Sequence, residues 1–466
     1  MINFNLIKAV YFVGIGGIGM SALARYFMHR GVYTAGYDRG KTPLTQQLQK
    51  EHILVDYTDT PDAIPALFKT YAKNRMLIVY TPAIPPDNEV LNYFKDNNYH
   101  LYKRAEVLGL ITDNIPTIAV AGPHGKTSVS VMTAWILRQS KLLTDGFFGG
   151  ISKNLNSNLM LSDSDKKTQL IVAEADEFDR SFLHLKPVTA VVTSLDADHL
   201  DIYKNIDYLK DSFLKFINQI DKNGSLLIKS SIDLPKANFP DNVYTYSLDA
   251  PADFYAENIE STLLYSKFDL IHPEGIVKNL KINIPGILNV DNAIAASALA
   301  LIHEAGEDAI RKGLESWEGT RRRFDYVINT ENLVFIDDYA HHPKELKAFI
   351  GSVRKLYPDR IITGIFQPHL YSRTRDFADE FAEELSRLDE VILTEIYPAR
   401  EKPIEGISSQ LILDKIKNTE KMLCSKDKLK ELFTNSRPEV LLLMGAGDIS
   451  EEKDAIAEVL KMNKKS

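Results

Sequence analysis

The feature that most constrains the fold is an apolar segment that leads through a glycine-containing loop into a helix. Residues 118–121 (I-A-V-A) predict a buried strand, and the loop after it carries Gly122 and Gly125 before Lys126 and Thr127. Backbone N–H groups of such a loop, together with the positive end of the following helix, cradle phosphate oxygens. Lys126 supplies a charge for β and γ phosphates, and the Thr127 hydroxyl suits Mg²⁺. We therefore predict a nucleoside triphosphate site; the alternative is an ordinary strand-to-helix turn with a surface lysine.

Length and composition exclude several classes of protein. A chain of 466 residues is too long for one core and predicts about three domains. The net charge of −8 argues against a general binder of nucleic acid or of anionic membranes. No apolar run reaches transmembrane length, so we expect no membrane insertion. The single cysteine, Cys424, excludes an intramolecular disulfide framework and fits a reducing compartment, which predicts a cytoplasmic protein.

Apolar runs with strand character alternate with amphipathic helical segments along the chain. This alternation is typical of an α/β fold with parallel sheets covered by helices. A fresh α/β unit is predicted from about residue 334, and short alternating runs between about residues 226 and 284, such as 243–246, predict an antiparallel patch. We place domain boundaries near residues 109 and 325, which gives domains of residues 1–108, 109–325 and 326–466.

A second glycine-rich loop follows the first predicted strand. It reads G-I-G-G-I-G, and an aspartate follows the next short strand at about the distance expected for an acid that binds ribose. Any nucleotide diphosphate seated against bare backbone satisfies this pattern, so a UDP-sugar and NAD are equally admissible. The alternative is a turn that only lets helix and strand pack closely. The residues of this predicted site are Gly14, Ile15, Gly16, Gly17, Ile18, Gly19 and Asp38.

Acidic segments follow two further predicted strands. Residues 174–179 (E-A-D-E-F-D) and 196–201 (D-A-D-H-L-D) lie at the carboxyl edge of the predicted parallel sheet, where ligand sites usually form. Hard oxygen ligands there suit Mg²⁺. His199, within the second segment, can offer a neutral imidazole to a second metal or to a substrate phosphate. Both segments therefore predict metal-assisted phosphate chemistry beside Lys126.

Basic residues in the last third of the chain suggest further contacts to phosphates. Residues 321–323 are three arginines, whose guanidinium groups could reach triphosphate oxygens across a domain junction; a solvated charge run is the alternative. Residues 337–343 (D-D-Y-A-H-H-P) follow the first strand of the late unit, and His369 and Arg373 follow its next strand. Four such clusters at the ends of separate strands predict a ligand site.

Taken together, these motifs resemble those of the Mur ligases of bacterial cell-wall synthesis, over nearly the whole chain. The resemblance implies an N-terminal Rossmann-like domain that holds a UDP-sugar, a central P-loop ATPase-type parallel sheet with an antiparallel patch, and a C-terminal Rossmann-like domain that closes over ATP and the amino acid. It rests on the glycine-rich loops, on both acidic segments, and on residues 322–324 (R-R-F), 337–343, 367–369 (Q-P-H) and 396–404 (I-Y-P-A-R-E-K-P-I), the last of which is similar to the alanine-adding members.

The resemblance also implies a reaction and residue roles. The reaction joins L-alanine to the lactyl carboxylate of UDP-N-acetylmuramate through an acyl phosphate, with ATP and Mg²⁺, in a monomer or homodimer. The implied ATP-binding residues are Gly122, Pro123, His124, Gly125, Lys126, Thr127, Ser128, Asn289, Asn292, Arg323 and Asp338. The implied metal ligands are Thr127, Glu174 and His199, and the implied catalytic residues are Lys126, His199, Arg323, His369 and Arg373, with the last two positioning L-alanine.

Three positions depart from the family's pattern. Pro123 stands where the loop commonly has threonine, which removes a hydroxyl and a backbone donor. Leu288 stands where the family often has histidine, and Phe178 replaces a small residue. Because Lys126 and Thr127 remain, we expect the chemistry to survive. Two other classes stay open at this point: an NAD-dependent oxidoreductase built on the first glycine-rich loop, and a regulatory or scaffold protein that binds ATP without amino-acid-stimulated turnover.

Overall fold

The computed structural model describes residues 3–113, 115–162, 167–195, 206–237, 239–248, 251–399, 401–417, 420–434 and 436–462. The described strands form three sheets of five, ten and six strands, which confirms the predicted α/β class. The chain forms two compact units, one of Met1–Ile259, Lys267–Asn283 and Val290–Glu318, the other of Glu260–Ser266, Ile284–Asn289 and Gly319–Ser466. Among the described residues, no helix has both the length and the apolar character needed to cross a membrane. The boundaries near residues 109 and 325 stay predictions.

The first sheet is wholly parallel and has the order β3-β2-β1-β4-β5. Its central strand β1 is apolar throughout because both its faces are buried, with Phe12 packing on one side and Tyr11 on the other. The winding reverses at β1, so the carboxyl ends of β1 and β4 flank the place where such sheets bind ligands. The strands are β1 (Ala9–Val13), β2 (Tyr33–Tyr37), β3 (Leu54–Asp56), β4 (Met76–Tyr80) and β5 (Leu101–Lys103); the helices are α1 (Ile18–His29), α2 (Pro43–Lys50), α3 (Glu89–Asp96) and α4 (Arg104–Thr112).

The second sheet has the order β15-β14-β13-β12-β11-β10-β6-β9-β7-β8. Its strand β6 lies between β10 and β9 and is parallel to both, so three carboxyl ends meet at one edge. The strands are β6 (Thr117–Ala121), β7 (Thr144–Ser152), β8 (Ser157–Met160), β9 (Leu170–Glu174), β10 (Thr189–Val192), β11 (Ser225–Lys229), β12 (Asn242–Ser247), β13 (Phe254–Ser261), β14 (Ser266–His272) and β15 (Gly275–Ile282); the helices are α5 (Lys126–Arg138), α6 (Ile206–Ile217), α7 (Ile287–Ile302) and α8 (Glu307–Ser316).

The predicted antiparallel patch is confirmed only in part. Strands β13, β14 and β15 are neighbours joined by residues 262–265 and 273–274, connections too short for a parallel crossover. For β12 the prediction was wrong, because this strand is parallel to both β11 and β13. Burial changes along β12, from the exposed Asn242 and Val243 to the buried Tyr246 and Ser247, and its alternating residue types do not report the direction of its neighbours. An antiparallel pair that was not predicted joins β7 and β8.

The third sheet has the order β16-β17-β21-β18-β19-β20 and is parallel except for the pair β16 and β17. Its central strands coincide with the apolar runs that predicted the late α/β unit. The strands are β16 (Asp325–Asn329), β17 (Val334–Asp338), β18 (Ile362–Phe366), β19 (Glu390–Leu393), β20 (Glu420–Leu423) and β21 (Val440–Met444); the helices are α9 (Pro343–Leu356), α10 (Tyr371–Asp376), α11 (Ala378–Leu385), α12 (Gln410–Leu413), α13 (Leu429–Leu432) and α14 (Lys453–Met462).

Helix α1 of the first sheet packs against β8 at the edge of the second sheet. The buried Asn158 amide donates to Ser21 Oγ at 3.0 Å and to the carbonyl oxygen of Ile18, and it accepts from the Arg25 guanidinium. Arg25 is 3% exposed and also donates to both carboxylate oxygens of Glu51, at 2.6 and 3.1 Å. Because buried polar groups are costly without partners, this network fixes how α1 lies on β8.

Candidate active site

Strand β6 leads directly into the predicted phosphate loop, and α5 begins at Lys126. Gly122 and Gly125 have φ angles of 124° and 85°, a region that favours glycine. A Cβ atom on Gly122 would lie 2.4 Å from Thr193 Oγ1, so the loop runs too close to the end of β10 to carry a side chain there. The first N–H groups of α5 have no partner within the helix and lie at the end of this loop. The local geometry therefore matches a phosphate cradle.

Two hydroxyl groups that follow β10 hold the backbone of the loop. Thr193 Oγ1 donates to the His124 carbonyl oxygen at 2.5 Å, and Ser194 Oγ accepts from the His124 N–H at 2.9 Å. The peptide groups on both sides of His124 are thus fixed. Pro123 adds stiffness because its ring restricts φ. The loop consequently keeps its shape although the threonine hydroxyl common in related loops is absent.

Lys126 forms a buried ion pair with Glu177. Its Nζ atom lies 2.8 and 2.7 Å from the two carboxylate oxygens, and the Glu177 side chain is 0% exposed. Burial acts to lower the pKa of Lys126, but the charges of Glu177, Asp176 and Glu174 outweigh it and raise that pKa above its ordinary value. The lysine is therefore held as a cation at the end of the phosphate loop, as an anion-binding role requires.

Thr127 and Glu174 bring hard oxygen ligands together beside this lysine. Thr127 Oγ1 donates to Glu174 Oε1 at 3.1 Å, and the N–H of Gly149 donates to Oε2 at 2.8 Å. Within the described ranges, no three His, Cys, Asp or Glu side chains form a ready metal cluster. A pair of protein oxygens fits Mg²⁺, which usually keeps several water or phosphate ligands. His199, the other predicted metal ligand, lies outside the described residues, as do all of residues 196–201.

Asn292 and Asn289 were both predicted to lie by the nucleotide. A Cβ atom on Gly125 would lie 3.0 Å from Asn292 Oδ1, so the Asn292 amide is beside the phosphate loop. Asn289 is buried, and its side chain donates to the Pro285 carbonyl oxygen at 3.1 Å. The structure brings Lys126, Thr127, Glu174 and Asn292 together at one sheet edge; their individual roles stay predictions.

The glycine-rich loop of the first sheet has a different local geometry. Gly14 has a φ of 89°, and α1 begins after Gly17. The N–H of Gly16 donates to Asp38 Oδ2 at 2.7 Å, so one oxygen of this acid is occupied by the loop itself. Asp38 thus follows β2 at the predicted place and helps to shape the loop. A contact with ribose stays a prediction for this residue.

The adjacent arginines of residues 321–323 are not simply a run of solvated charges, because Arg322 and Arg323 make different contacts. Arg322 donates to the carbonyl oxygens of Gly445 and Gly447 at 2.5 and 3.0 Å, which ties the chain before β16 to the end of β21. Arg323 is 34% exposed, and its guanidinium carbon lies 4.9 Å from the centre of the Tyr339 ring. Arg323 is therefore the better placed of these two for contact with an anionic ligand.

Asp338 lies at the carboxyl end of β17. Its carboxylate accepts from the backbone N–H groups of Phe324 at 2.7 Å and Ala340 at 2.8 Å. Burial raises the pKa of Asp338 to about 6, although Arg323 and both hydrogen bonds oppose the rise. Asp338 and Arg323 are thus electrostatically coupled within the second unit.

His369 and Arg373 follow β18, as predicted. The ring of His369 stacks on Tyr397, with centres 5.7 Å apart and planes 18° apart, and meets the edge of His341 at 5.7 Å. Leu370 adopts a φ of 71°, which is strained for a bulky residue, and its N–H donates to the Tyr397 carbonyl oxygen at 2.9 Å. Backbone strain of this kind is concentrated at functional sites. Arg373 lies on α10. Arg400, which belongs with Tyr397 to the motif of residues 396–404, lies outside the described residues.

Comparison with known families covers most of the chain. Residues 9–115 match the model described as "Mur ligase family, catalytic domain", residues 120–300 match "Mur ligase middle domain", and residues 322–447 match "Mur ligase, glutamate ligase domain". The chain belongs to the Mur ligase family. This Mur ligase is 46% identical over 459 residues to a UDP-N-acetylmuramate–L-alanine ligase of Parabacteroides distasonis, with 98% of each chain covered. It is 48% identical over 445 residues to the enzyme of that name from Porphyromonas gingivalis, with 95% of this chain and 96% of the relative covered.

Solved structures give the same relationship. The UDP-N-acetylmuramate-alanine ligase of Thermotoga maritima matches with a TM-score of 0.81 and 25% identity, covering 98% of this Mur ligase and 100% of that chain. The MurF ligase of Thermotoga maritima, solved in complex with ADP, matches with a TM-score of 0.60 and 14% identity, covering 99% of this chain and 98% of that one, and shows the shared fold.

Sequence reasoning missed several residues that shape the site of this Mur ligase. Glu177 was noted only as part of an acidic segment, yet it is the direct partner of Lys126. The contacts of Thr193 and Ser194 with the phosphate loop were not predicted, because these are ordinary residue types at the end of a strand. A usable signal existed for Arg104, since this basic residue directly follows Lys103, the last residue of β5.

Proposed function

We propose that this Mur ligase joins the amine of L-alanine to the lactyl carboxylate of UDP-N-acetylmuramate, converting ATP to ADP and phosphate, in the cytoplasm, as a monomer or homodimer. One observation carries the proposal: Lys126, Thr127 and Glu174 meet at one sheet edge of a chain that matches ligases of this name over nearly its whole length. A phosphate-binding cation and hard oxygen ligands are what ATP-dependent activation of a carboxylate needs.

The reaction proceeds in two steps. The lactyl carboxylate attacks the γ-phosphorus of ATP, the bond to the β–γ bridging oxygen breaks, and ADP leaves an acyl phosphate behind. The amine of L-alanine then attacks the acyl carbon, and the tetrahedral intermediate expels inorganic phosphate while the nitrogen loses a proton. Lys126 stabilises the charge that develops on the phosphate oxygens in the first step, where positioning and electrostatics dominate. To do so it exchanges its Glu177 partner for those oxygens.

The remaining residues bind and orient the substrates. Thr127 and Glu174 are the proposed ligands of one Mg²⁺ and His199 is the proposed ligand of a second, and metal ions bound there would neutralise phosphate charge. Arg323 and Asp338 are proposed to contact ATP, and His369 and Arg373 to position L-alanine. The remaining Asn289, Asn292 and glycine-rich loops are proposed to hold the two nucleotides.

Phosphate release tests the function directly. With Mg²⁺, ATP and UDP-N-acetylmuramate present, we expect release to depend on an added amino acid and to be fastest with L-alanine in a panel that includes glycine and L-serine. One methyl group discriminates only modestly, so the neighbouring amino acids are the sharpest comparison. ATP binding without amino-acid-stimulated release would instead indicate a regulatory protein, and an absorbance change with NADH would indicate an oxidoreductase.

A further inference from the structure

Arg104, the first residue of α4, lies directly against the glycine-rich loop of the first sheet. A Cβ atom on Gly19 would lie 2.7 Å from Arg104 Cδ and 2.9 Å from Arg104 Nη1. The last glycine of the motif therefore makes room for an arginine side chain at the first turn of α1. This places a guanidinium group beside the loop on which a pyrophosphate is expected to sit.

The same guanidinium faces the acidic segment that follows β9. Its Nη2 atom is 3.9 Å from Asp176 Oδ2, which is an ion pair too long for a hydrogen bond. Across the described residues, the Arg104 side chain has no hydrogen bond to protein and no charged partner other than Asp176. A half-buried arginine with its donors unused is ready to bind an anionic ligand.

Asp176 lies between the two acids of the proposed ATP site. Glu174, two residues before it, contacts Thr127, and Glu177, directly after it, holds Lys126. The charge of Asp176 itself helps to raise the pKa of Lys126, so the two groups are electrostatically coupled. Arg104 therefore connects the glycine-rich loop with the segment that holds the phosphate-binding lysine.

We propose that Arg104 binds the pyrophosphate of UDP-N-acetylmuramate and gives up its long ion pair with Asp176 to do so. This rests on the proposed function, because it requires a sugar nucleotide on the glycine-rich loop. The planar guanidinium fork matches two phosphate oxygens and forms shorter, charge-assisted bonds there.

Binding of UDP-N-acetylmuramate to the full chain by calorimetry, without ATP, tests this exchange. We expect Arg104→Ala to weaken binding about 10- to 100-fold and to reduce its salt dependence, and Arg104→Lys to restore part of the affinity. Lys103→Ala is the matched control, since that neighbouring cation pairs with Asp179 at the surface and should leave affinity unchanged. Asp176→Asn should tighten binding a few-fold, because it removes the competing charge while its Oδ1 can still accept from the Phe178 N–H.

The outcomes separate this inference from the proposed function. Equal affinity of the wild type and Arg104→Ala would overturn the assignment of Arg104. Weakening by Asp176→Asn as large as that by Arg104→Ala would overturn the exchange, because Asp176 would then orient the arginine instead of competing for it. Failure of the wild type itself to bind would count against the proposed function. Unchanged thermal unfolding temperatures show that the variants are folded, and the affinity of Arg104→Lys tests the assignment if Arg104→Ala is not folded.

Discussion

The Nζ atom of Lys126 lies 2.8 and 2.7 Å from the two carboxylate oxygens of Glu177, a side chain that is fully buried. This pair keeps a lysine charged at a place where burial alone would lower its pKa. Glu177 therefore maintains the charge of the lysine that is proposed to bind ATP, although Glu177 itself was not predicted to be a ligand of ATP.

Glu177→Gln should shift the basic limb of the pH profile of kcat/KM for ATP to lower pH. The amide keeps the shape of the side chain but not its charge, so the burial of Lys126 is less opposed and its pKa falls. The free energy of unfolding should also fall by about 3 kcal/mol, because a buried charge loses its partner. Glu274→Gln, at an exposed turn, is the control. An unshifted basic limb would show that Glu177 does not set the charge of Lys126.

Lys126→Ala should reduce turnover about 1000-fold or more while leaving the affinity for UDP-N-acetylmuramate nearly unchanged. The lysine contacts Glu177, in the segment after β9 of the second sheet, and has no part in the glycine-rich loop of the first. Product formation followed by mass spectrometry and sugar-nucleotide binding followed by calorimetry give the two readouts. ATP-dependent amide formation at the wild-type rate would contradict the role proposed for Lys126.

Gly149→Ala should raise the Mg²⁺ concentration needed for half-maximal activity about 10-fold. The added Cβ atom would lie 2.4 Å from Glu174 Oε1, so this carboxylate must move away from Thr127. Mg²⁺ titration of phosphate release measures the effect. Gly351→Ala serves as the control, since its Cβ atom would meet nothing within 4 Å. An unchanged Mg²⁺ requirement would remove Glu174 from the metal site.

Asp338 should make stability depend on pH between about 4 and 6. Burial raises its pKa to about 6 in the folded chain from 3.8, so the folded chain binds the proton more tightly than the unfolded chain. The stability contributed by this group is therefore greatest below the unfolded pKa and is lost as pH rises through the folded pKa. Chemical denaturation of the wild type and Asp338→Asn across this range measures it. A difference in unfolding free energy that stays constant with pH would contradict the raised pKa.

The sequence predicted the parts of the fold that depend on local pattern. The strand before Gly122 and the helix after Gly125 were predictable because an apolar run, two glycines and a lysine act within ten residues of one another. The direction of β12 was not predictable, since alternating residue types carry no information about the direction of the neighbouring strand. Local strands, loops and helices can thus be predicted from the sequence, whereas the pairing of distant strands cannot.

The site was predictable as a set of residue types but not as a set of contacts. Lys126 and Glu177 are 51 positions apart, and only the parallel pairing of β6 with β9 brings them together. Arg104 and Gly19 belong to different helices of the first sheet and meet only through tertiary packing. A single sequence carries no signal for such contacts, and this is why the resemblance named residues at strand ends but did not identify the residues that pair with them.

The buried contact of Asn158 with Arg25 and Ser21 bears on how the enzyme can be dissected. A fragment that starts near residue 109 would retain β8 but lose the helix that covers it. The Asn158 side-chain amide would then lack partners, and the uncovered β8 strand would offer its backbone to other molecules. Expression of the second sheet by itself therefore requires that α1 stay attached or that the edge at β8 be redesigned. Truncation near residue 109 is expected to cause aggregation.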